Sequence, residues 1–489
     1  MKLEEMLKGV DIISIIGEPD TDIKGIAYDS RDIKKEDLFF CISGYKTDGH
    51  KFAYDAFNNG AAAFIVENEI QDEIYKKALV IKVADSRKAL SRISANYFKH
   101  PSKRLNVFGV TGTNGKTTIT YLIKQILEAA NISCGLLGTI SYKIGNNEYN
   151  SSNTTPESFE LQKMFDNMHH EKINACAMEV SSHSLALSRV EDIDFDYGIF
   201  TNLTPDHLDF HEDFDHYYLS KKKLFYKTRK ANIINEDDKY GKKLAYELKN
   251  ELNVPCFTFG VQNDADYKAE NISISEKSSS FELLFNRKIL GFLSLPIPGM
   301  FSVYNALAAA GICLEAGIGF EEVKAGLQNI KGVPGRFQVV ENKKDIIAIV
   351  DYAHTPDALE KVLSTANGFK KGRLICLFGC GGDRDRTKRP LMGKIAGELA
   401  DYCIITSDNP RNEDPKQILK DTETGIIPTE CPYEIVEDRF EAIKRTVEIY
   451  NKNDIIILAG KGHETYQVIG SHTIHFDDRE AVLSIIESM

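Results

Sequence analysis

The residue types and spacing best suited to chemistry lie at residues 110–118, VTGTNGKTT. An apolar run, residues 105–110 (LNVFGV), precedes them and reads as a buried strand. Ile119, Leu122, Ile123, Ile126, Leu127 and Ala130 follow at helical spacing. Strand, glycine-rich turn and helix, in that order, aim backbone N–H groups and the positive end of a helix at a phosphate. In that setting Lys116 reaches terminal phosphates and Thr117 offers its hydroxyl to Mg²⁺. The common phosphate loop carries glycine where Val110 stands; the glycines here are Gly109, Gly112 and Gly115.

Other reactive types sit where further apolar runs end. Residues 175–180 (ACAMEV) read as a buried strand that delivers Glu179 and opens into SSHS. In a doubly wound sheet ligands bind beyond the carboxyl ends of the strands, so Glu179 should see the same phosphates as Lys116. A carboxylate there suits Mg²⁺, which takes a few protein oxygens plus water and phosphate. Residues 196–201 lead into NLTPDHLDFH, where Asp206, His207, Asp209 and His211 crowd together. That density fits a second metal or phosphate station, or a solvated loop. The run Lys221, Lys222, Lys223 follows in YYLSKKKLFYK, a pattern that usually marks a solvated helix face. Four later strands end in polar loops: 346–351 in YAHTPDAL, 374–378 in GCGGDRDRTKR, 402–407 in DNPRNEDP and 455–459 in GKGHETYQ. All four loops should lie along one sheet edge. GCGGDRD lacks the spacing of a dinucleotide fingerprint.

Positioning these groups takes an α/β chain of several domains. At 489 residues about three ordinary domains are expected. Hydrophobic residues make up 42% and charged residues 27%, as in globular proteins. A formal net charge of −12 argues against a general nucleic-acid surface. No apolar run is long enough to span a bilayer, and Glu4, Glu5 and Asp11 break any signal-peptide layout. The nine scattered cysteines read as reduced thiols of a cytoplasmic protein; Cys376 and Cys380 find no second ligand pair. Residues 1–100 read as a small α/β unit with strands at 23–28, 37–42 and 61–66 and helices at 54–59 and 85–98. HPSKR (100–104) reads as a linker. Residues 266–297 alternate like an antiparallel flap, 299–311 form a helix, and KGVPGRFQ (331–338) marks a boundary.

Eight segments, in order, resemble the Mur ligase family, ATP-dependent amide-forming enzymes of cell-wall precursor synthesis. They are GTNGKTT (112–118), NTTP (153–156), MEVSSH (178–183), TNLTPDHLDFH (201–211), GRF (335–337), DYAHTPD (351–357), GCGGDRD (379–385) and GKGHE (460–464). The resemblance implies three α/β domains. Residues 1–100 would bind the UDP-muramoyl substrate. Residues 101–332 would be a central P-loop ATPase domain with a mainly parallel sheet. Residues 333–489 would form a Rossmann-like domain for the incoming amino acid. ATP would meet Gly112, Thr113, Asn114, Gly115, Lys116, Thr117, Thr118, Asn305, Arg336 and Asp351. Ser30, Tyr45, Lys46 and Thr47 match UDP-contacting positions. Asn153, Thr154, Thr155, Ser181 and Arg189 match positions that hold the muramoyl-dipeptide. Lys116, Glu179 and His207 match catalytic positions, and Thr117, Glu179 and His207 are Mg²⁺-linked. Lys221 matches, by spacing, a lysine that relatives carbamylate; Lys222 and Lys223 adjoin it. Ser302 departs from the pattern, since relatives often have asparagine there.

The resemblance is nearest to the branch that adds the third residue to UDP-N-acetylmuramoyl-L-alanyl-D-glutamate. It implies phosphorylation of the glutamyl carboxylate by ATP and attack of an amine on the acyl phosphate, in peptidoglycan synthesis. The loop Asp408, Asn409, Pro410, Arg411 bears on which amine. Diaminopimelate is lysine with a second, distal carboxylate, which the Arg411 fork can bind through two hydrogen bonds, with Arg384 assisting. Lysine would leave that fork unpaired, at a cost of about 1–3 kcal/mol. DNPR also matches the signature of diaminopimelate-adding relatives. Gly460 and Glu464 match positions at the amino-acid end, where Glu464 can pair an ammonium. The expected enzyme is a cytoplasmic monomer without nucleic-acid partner or membrane span. The alternatives are a lysine-adding or folate polyglutamylating ligase of the same family, or a P-loop nucleotide-binding protein without ligase chemistry.

Overall fold

The computed structural model describes residues 2–18, 21–44, 47–205 and 210–488. The chain divides into two compact units: Met1–Lys116 with Ala130–Thr258, and Thr117–Ala129 with Phe259–Met489.

The first unit holds two sheets. Near the N-terminus, strands run in the order Ile12–Ile16, Leu79–Val83, Ala63–Val66, Asp37–Phe40, Gly25–Ala27. Only Ile12–Ile16 is antiparallel to its neighbour. The expected strands and helices at 23–66 and 85–98 are present, with no bound moved by more than two residues. The second sheet is ordered Thr228–Asn235, Phe195–Phe200, Asn106–Thr111, Ala175–Glu179, Cys134–Leu137, Ser141–Ile144, Asn147–Asn150. Its first five strands are parallel, and the last two form an antiparallel hairpin extension. Parallel strands buried on both faces read as unbroken apolar runs, which is why ACAMEV was legible. The segment expected as a linker is instead a packed 3₁₀ turn, Pro101–Arg104, with Pro101 and Ser102 buried.

Asn106–Thr111 lies between Ala175–Glu179 and Phe195–Phe200, where the strand order reverses, the place at which doubly wound sheets bind ligands. Val110 is fully buried in this central strand and pairs with Glu179 and Ile199. A glycine there would weaken the strand, so the turn starts two residues later, at Gly112.

In the second unit, Tyr267–Ile274, Ser279–Phe285 and Lys288–Leu295 form the expected antiparallel flap. Helices Met300–Glu315 and Phe320–Gln328 follow. The C-terminal sheet is ordered Gln338–Val339, Ile347–Asp351, Ile455–Ala459, Leu374–Phe378, Tyr402–Ile405, Tyr433–Ile435, and all but the first strand are parallel. Pro356–Asn367, Lys388–Leu399 and Pro415–Ile426 cover one face, and Arg439–Glu448 and Asp478–Ser488 the other. The four loop-bearing strands therefore end on one edge, as their sequence pattern requires. Among the described residues no helix is long and apolar enough to cross a membrane.

Candidate functional site

The phosphate loop is tied to the strand beside it. Thr113 N–H donates to Asn202 O (2.8 Å), Asn114 N–H to Asn202 Oδ1 (3.0 Å), and Thr201 Oγ1 to Asn114 O (2.6 Å). Gly112 has φ +146°, and a Cβ on it would run into Thr201 Oγ1, so only glycine fits. Lys116 Nζ donates to the carbonyls of Gly112 and Thr113, both at 2.9 Å.

Lys221 meets the same carbonyl. Its Nζ donates to Gly112 O at 2.9 Å and lies 4.4 Å from the Tyr217 ring centroid. Lys221 is 1% exposed, whereas Lys222 pairs with Glu247 (2.9 Å) and Glu251 (3.0 Å) and Lys223 is exposed. The triple lysine is therefore not one solvated face. Tyr217, Lys221 and Leu224 recur at i, i+4 and i+7 on the buried side of the helix Phe214–Lys222 and the turn after it.

Glu179 is buried at its strand end and accepts from Thr139 N–H (2.8 Å) and Thr139 Oγ1 (3.1 Å). The Thr139 hydroxyl also meets Thr154 Oγ1 at 3.1 Å. Thr155 Oγ1 donates to Glu179 O (2.9 Å) and accepts from Ser181 N–H (3.0 Å). Arg189 Nη1 donates to Thr155 O (3.1 Å), and its Nε faces Glu157 Oε1 at 3.3 Å. Tyr142 OH donates to Asn153 O at 2.5 Å. So Thr154, Thr155, Glu179, Ser181 and Arg189 form one network, and Asn153, next to Thr154 in the chain, is held by Tyr142. Sequence reasoning missed Thr139 and Tyr142, whose isolated positions carry no motif signal, and Glu157, which adjoins the NTTP segment. Ser30 accepts from Asn59 Nδ2 through its carbonyl (3.0 Å), and Thr47 is exposed with its carbonyl accepting from Gly44 N–H (3.0 Å). Tyr45, Lys46 and His207, with Asp206 and Asp209, lie outside the described residues.

In the second unit, two loops at the C-terminal sheet edge interlock. Asn409 Nδ2 donates to Glu464 Oε2 (2.8 Å), and Asn409 Oδ1 accepts from Val468 N–H (2.9 Å). Gln467 Nε2 donates to Asp408 O at 2.7 Å. Lys461, fully buried, sits 3.1 Å from Glu464. Burial pushes the Glu464 carboxyl up, and Lys461 opposes that shift. Gly460, at φ +114°, brings its backbone close to Asp408, whose Oδ2 would stand 2.7 Å from a Cβ. Arg411 has φ +51°, its backbone held by Val468 O (3.1 Å) and Gly470 N–H (2.7 Å), and its Nη1 donates to Gly382 O (2.8 Å). Arg384 is exposed and donates to Asp383 O at 3.1 Å; the Arg384 and Arg411 side chains both flank Gly381. Arg389, fully buried, holds this loop pair through Glu413 and Asp421, each at 2.9 Å. Lys461, Gln467 and Arg389 were missed; Lys461 stands inside GKGHE, and that placement was the available signal.

Asp351 ends its strand buried and accepts from Phe337 N–H at 2.6 Å. Burial pushes its carboxyl up to about 6, against the opposing charge of Arg336. Arg336 lies 4.9 Å from the Tyr352 ring centroid and donates to Thr117 Oγ1 (3.3 Å). Burial, then Arg336, holds the neighbouring His463 down to about 3, so it is neutral near pH 7. Asn305 is buried on Met300–Glu315. Ser302, the departure from pattern, is fully buried and donates to Pro298 O at 2.9 Å, closing the turn that starts this helix.

Three family models match: the Mur ligase middle domain over residues 110–313, the Mur ligase glutamate ligase domain over 335–462, and the Mur ligase family catalytic domain over 22–98. The UDP-N-acetylmuramoyl-L-alanyl-D-glutamate–2,6-diaminopimelate ligase of Clostridioides difficile (strain 630) is 49% identical, covering 100% of both chains. Its namesake from Alkaliphilus oremlandii (strain OhILAs) is 50% identical over 99% of each chain. A solved structure of a UDP-N-acetylmuramoyl-L-alanyl-D-glutamate–2,6-diaminopimelate ligase superposes with a TM-score of 0.72 at 32% identity, covering 100% of this chain and 99% of the other. With three domain models in series and near-half identity along its whole length, this chain belongs to the Mur ligase family.

Proposed function

We propose that this chain joins meso-2,6-diaminopimelate to UDP-N-acetylmuramoyl-L-alanyl-D-glutamate, converting ATP to ADP and phosphate, as a monomer in the cytoplasm. The observation that carries the reading is the Asp408–Arg411 loop, locked onto Glu464 through Asn409 at 2.8 Å. It offers a carboxylate for an ammonium and, in Arg411, a guanidinium with one of its donors committed to Gly382 and others available to fork a carboxylate. A substrate with an amino-acid head and a distal carboxylate matches both ends; lysine matches only the first. Relatives that share about half of the sequence carry the same name for that activity. In this reading residues 1–100 take the UDP end, 101–332 handle ATP and 333–489 take diaminopimelate.

The chemistry has two steps. A glutamyl carboxylate oxygen attacks the γ-phosphorus, the bond to ADP breaks, and an acyl phosphate forms. The diaminopimelate amine then adds to the acyl carbon, loses a proton, and expels phosphate with that carboxylate oxygen attached. Catalysis of this kind is mainly positioning and charge stabilisation. Lys116 exchanges the Gly112 and Thr113 carbonyls for phosphate oxygens. Asn153, Thr154, Thr155 and Ser181 orient the muramoyl-dipeptide, and Arg189 takes a carboxylate of it. Lys116 and Lys221 both donate to Gly112 O, so their ammonium nitrogens are at most about 6 Å apart. Two like charges at that distance repel by about 3 kcal/mol at an effective dielectric of 20. Carbamylation of Lys221, in which the neutral amine adds CO₂ and releases a proton, turns that repulsion into attraction. The donor set suits magnesium: Glu179 is a buried carboxylate already oriented by Thr139, with lone pairs left over. Glu179 would hold the ion; Thr117 and His207 match Mg²⁺-linked positions of the family by sequence alone. When bound, magnesium supplies positive charge to the transferring phosphoryl group.

The test follows the oxygen. With ¹⁸O in the glutamyl carboxylate, one ¹⁸O per turnover should appear in inorganic phosphate, and the product mass should equal the dipeptide plus diaminopimelate less water. Product without label in phosphate would remove the acyl phosphate; no diaminopimelate-containing product would remove the proposed function.

A further inference from the structure

Arg439 and Asp478 begin the two helices that cover one face of the C-terminal sheet. They are 1% and 0% exposed, and no motif includes them. Arg439 Nε and Nη2 donate to the two Asp478 oxygens at 2.7 and 2.6 Å. Arg439 Nη1 donates to Ser407 O (3.3 Å) and Nη2 to Ala459 O (3.1 Å). Ser407 and Ala459 are the last residues before Asp408 and Gly460, where the two interlocked loops start. Their strands, Tyr402–Ile405 and Ile455–Ala459, are not neighbours; Leu374–Phe378 runs between them. No ladder hydrogen bond can fix their separation directly, and the guanidinium spans it. The charges of Asp408 and Glu464 also act on Arg439.

A buried ion pair is a poor source of stability, since apolar replacements of similar volume are often neutral or stabilising. What this one supplies is geometry: a planar fork with fixed donor directions, oriented on one side by Asp478 and spent on the other on two carbonyls. We propose that Arg439, held by Asp478, is a positioning residue that sets the spacing of the Asp408–Arg411 loop against the Gly460–Glu464 loop, and with it the fit of diaminopimelate. This rests on the proposed function. A misplacement of about 1 Å in such a site can cost about 100-fold.

The experiment measures phosphate release by the full-length enzyme while diaminopimelate and ATP are varied separately, for wild type, Asp478→Asn and Arg439→Lys. Asp478→Asn keeps a hydrogen-bonding partner for Arg439; Arg439→Lys keeps the charge but loses the fork. We expect each to raise KM for diaminopimelate at least about tenfold while KM for ATP stays within about twofold. Thermal melting identifies any variant that fails to fold, and the other then decides. If both fail, the pair is required for folding and the positioning role is overturned. Equal rises in both KM values, or none, also overturn it. Wild-type phosphate release that ignores diaminopimelate defeats the proposed function itself, which separates the two failures.

Discussion

Replacing Arg411 should damage one substrate and spare the other. Arg411 is half-buried, its guanidinium anchored at Nη1 to Gly382 O (2.8 Å) and next to Gly381 on the loop edge. Truncating one partner of a buried charge pair costs about 2–5 kcal/mol, and partial exposure puts Arg411 near the low end, about 2–3 kcal/mol. At 1.36 kcal/mol per factor of ten, that is a ~30- to ~150-fold rise in KM for diaminopimelate. The backbone supplies a control. Arg411 sits at φ +51°, where a non-glycine residue carries roughly 1–2 kcal/mol of strain. Arg411→Gly therefore removes the fork while relaxing the loop, and Arg411→Ala removes it with the strain kept. Both should show the same loss toward diaminopimelate, with Arg411→Gly no less stable in a thermal melt. Arg411→Lys should recover part of the loss, because it keeps charge without the bidentate geometry. Steady-state phosphate release with ATP and diaminopimelate varied in turn is the assay. Equal weakening toward both substrates, or an effect of Ala that Gly does not share, would refute carboxylate recognition and make Arg411 a loop-shaping residue.

Further outcomes are expected. Lys221→Ala should nearly abolish turnover, whereas Lys222→Ala, which cuts the pairs with Glu247 and Glu251 and the contact with the Tyr226 ring, should retain it; the reverse would move the essential lysine by one position. Gly138→Ala would drive a Cβ into the Glu179 carboxylate, so it should cut kcat by at least about tenfold with little change in melting temperature; unchanged kcat would mean that Glu179 needs no fixed orientation. Asp351 has a folded-state value of about 6 against 3.8, so the folded state binds the extra proton and its stabilising share is full below 3.8 and lost as pH rises through 6. Asp351→Asn, which can still accept from Phe337 N–H, should therefore gain roughly 2 kcal/mol relative to wild type between pH 4 and pH 7; a pH-independent difference in melting would show that Asp351 does not titrate there.

How much of this was legible depended on burial. Strands covered on both faces wrote themselves as apolar runs, and their loops followed. Ile12–Ile16 was not legible: it is an antiparallel edge strand with Ile13, Ile15 and Ile16 exposed, so alternation does not report its inner face. The hairpin strand Asn147–Asn150 is wholly exposed, and its single aromatic, Tyr149, makes no alternating pattern. At the site, glycine loops and strand-end carboxylates were readable because backbone approach and charge restrict residue type. Lys221 shows the limit: a charge run reads as solvated, and only the phase of Tyr217 and Leu224 shows that one of three lysines points inward. Arg439 and Asp478, 39 residues apart, meet only through the fold and leave no mark on the sequence.

The most direct test of the central claim is phosphate release from ATP in four mixtures: no acceptor, UDP-N-acetylmuramoyl-L-alanyl-D-glutamate alone, that dipeptide with lysine, and that dipeptide with meso-diaminopimelate. Sustained release only in the fourth is predicted. Release with lysine but not diaminopimelate would contradict the role given to Arg411, and release indifferent to the dipeptide would contradict the ligase chemistry altogether.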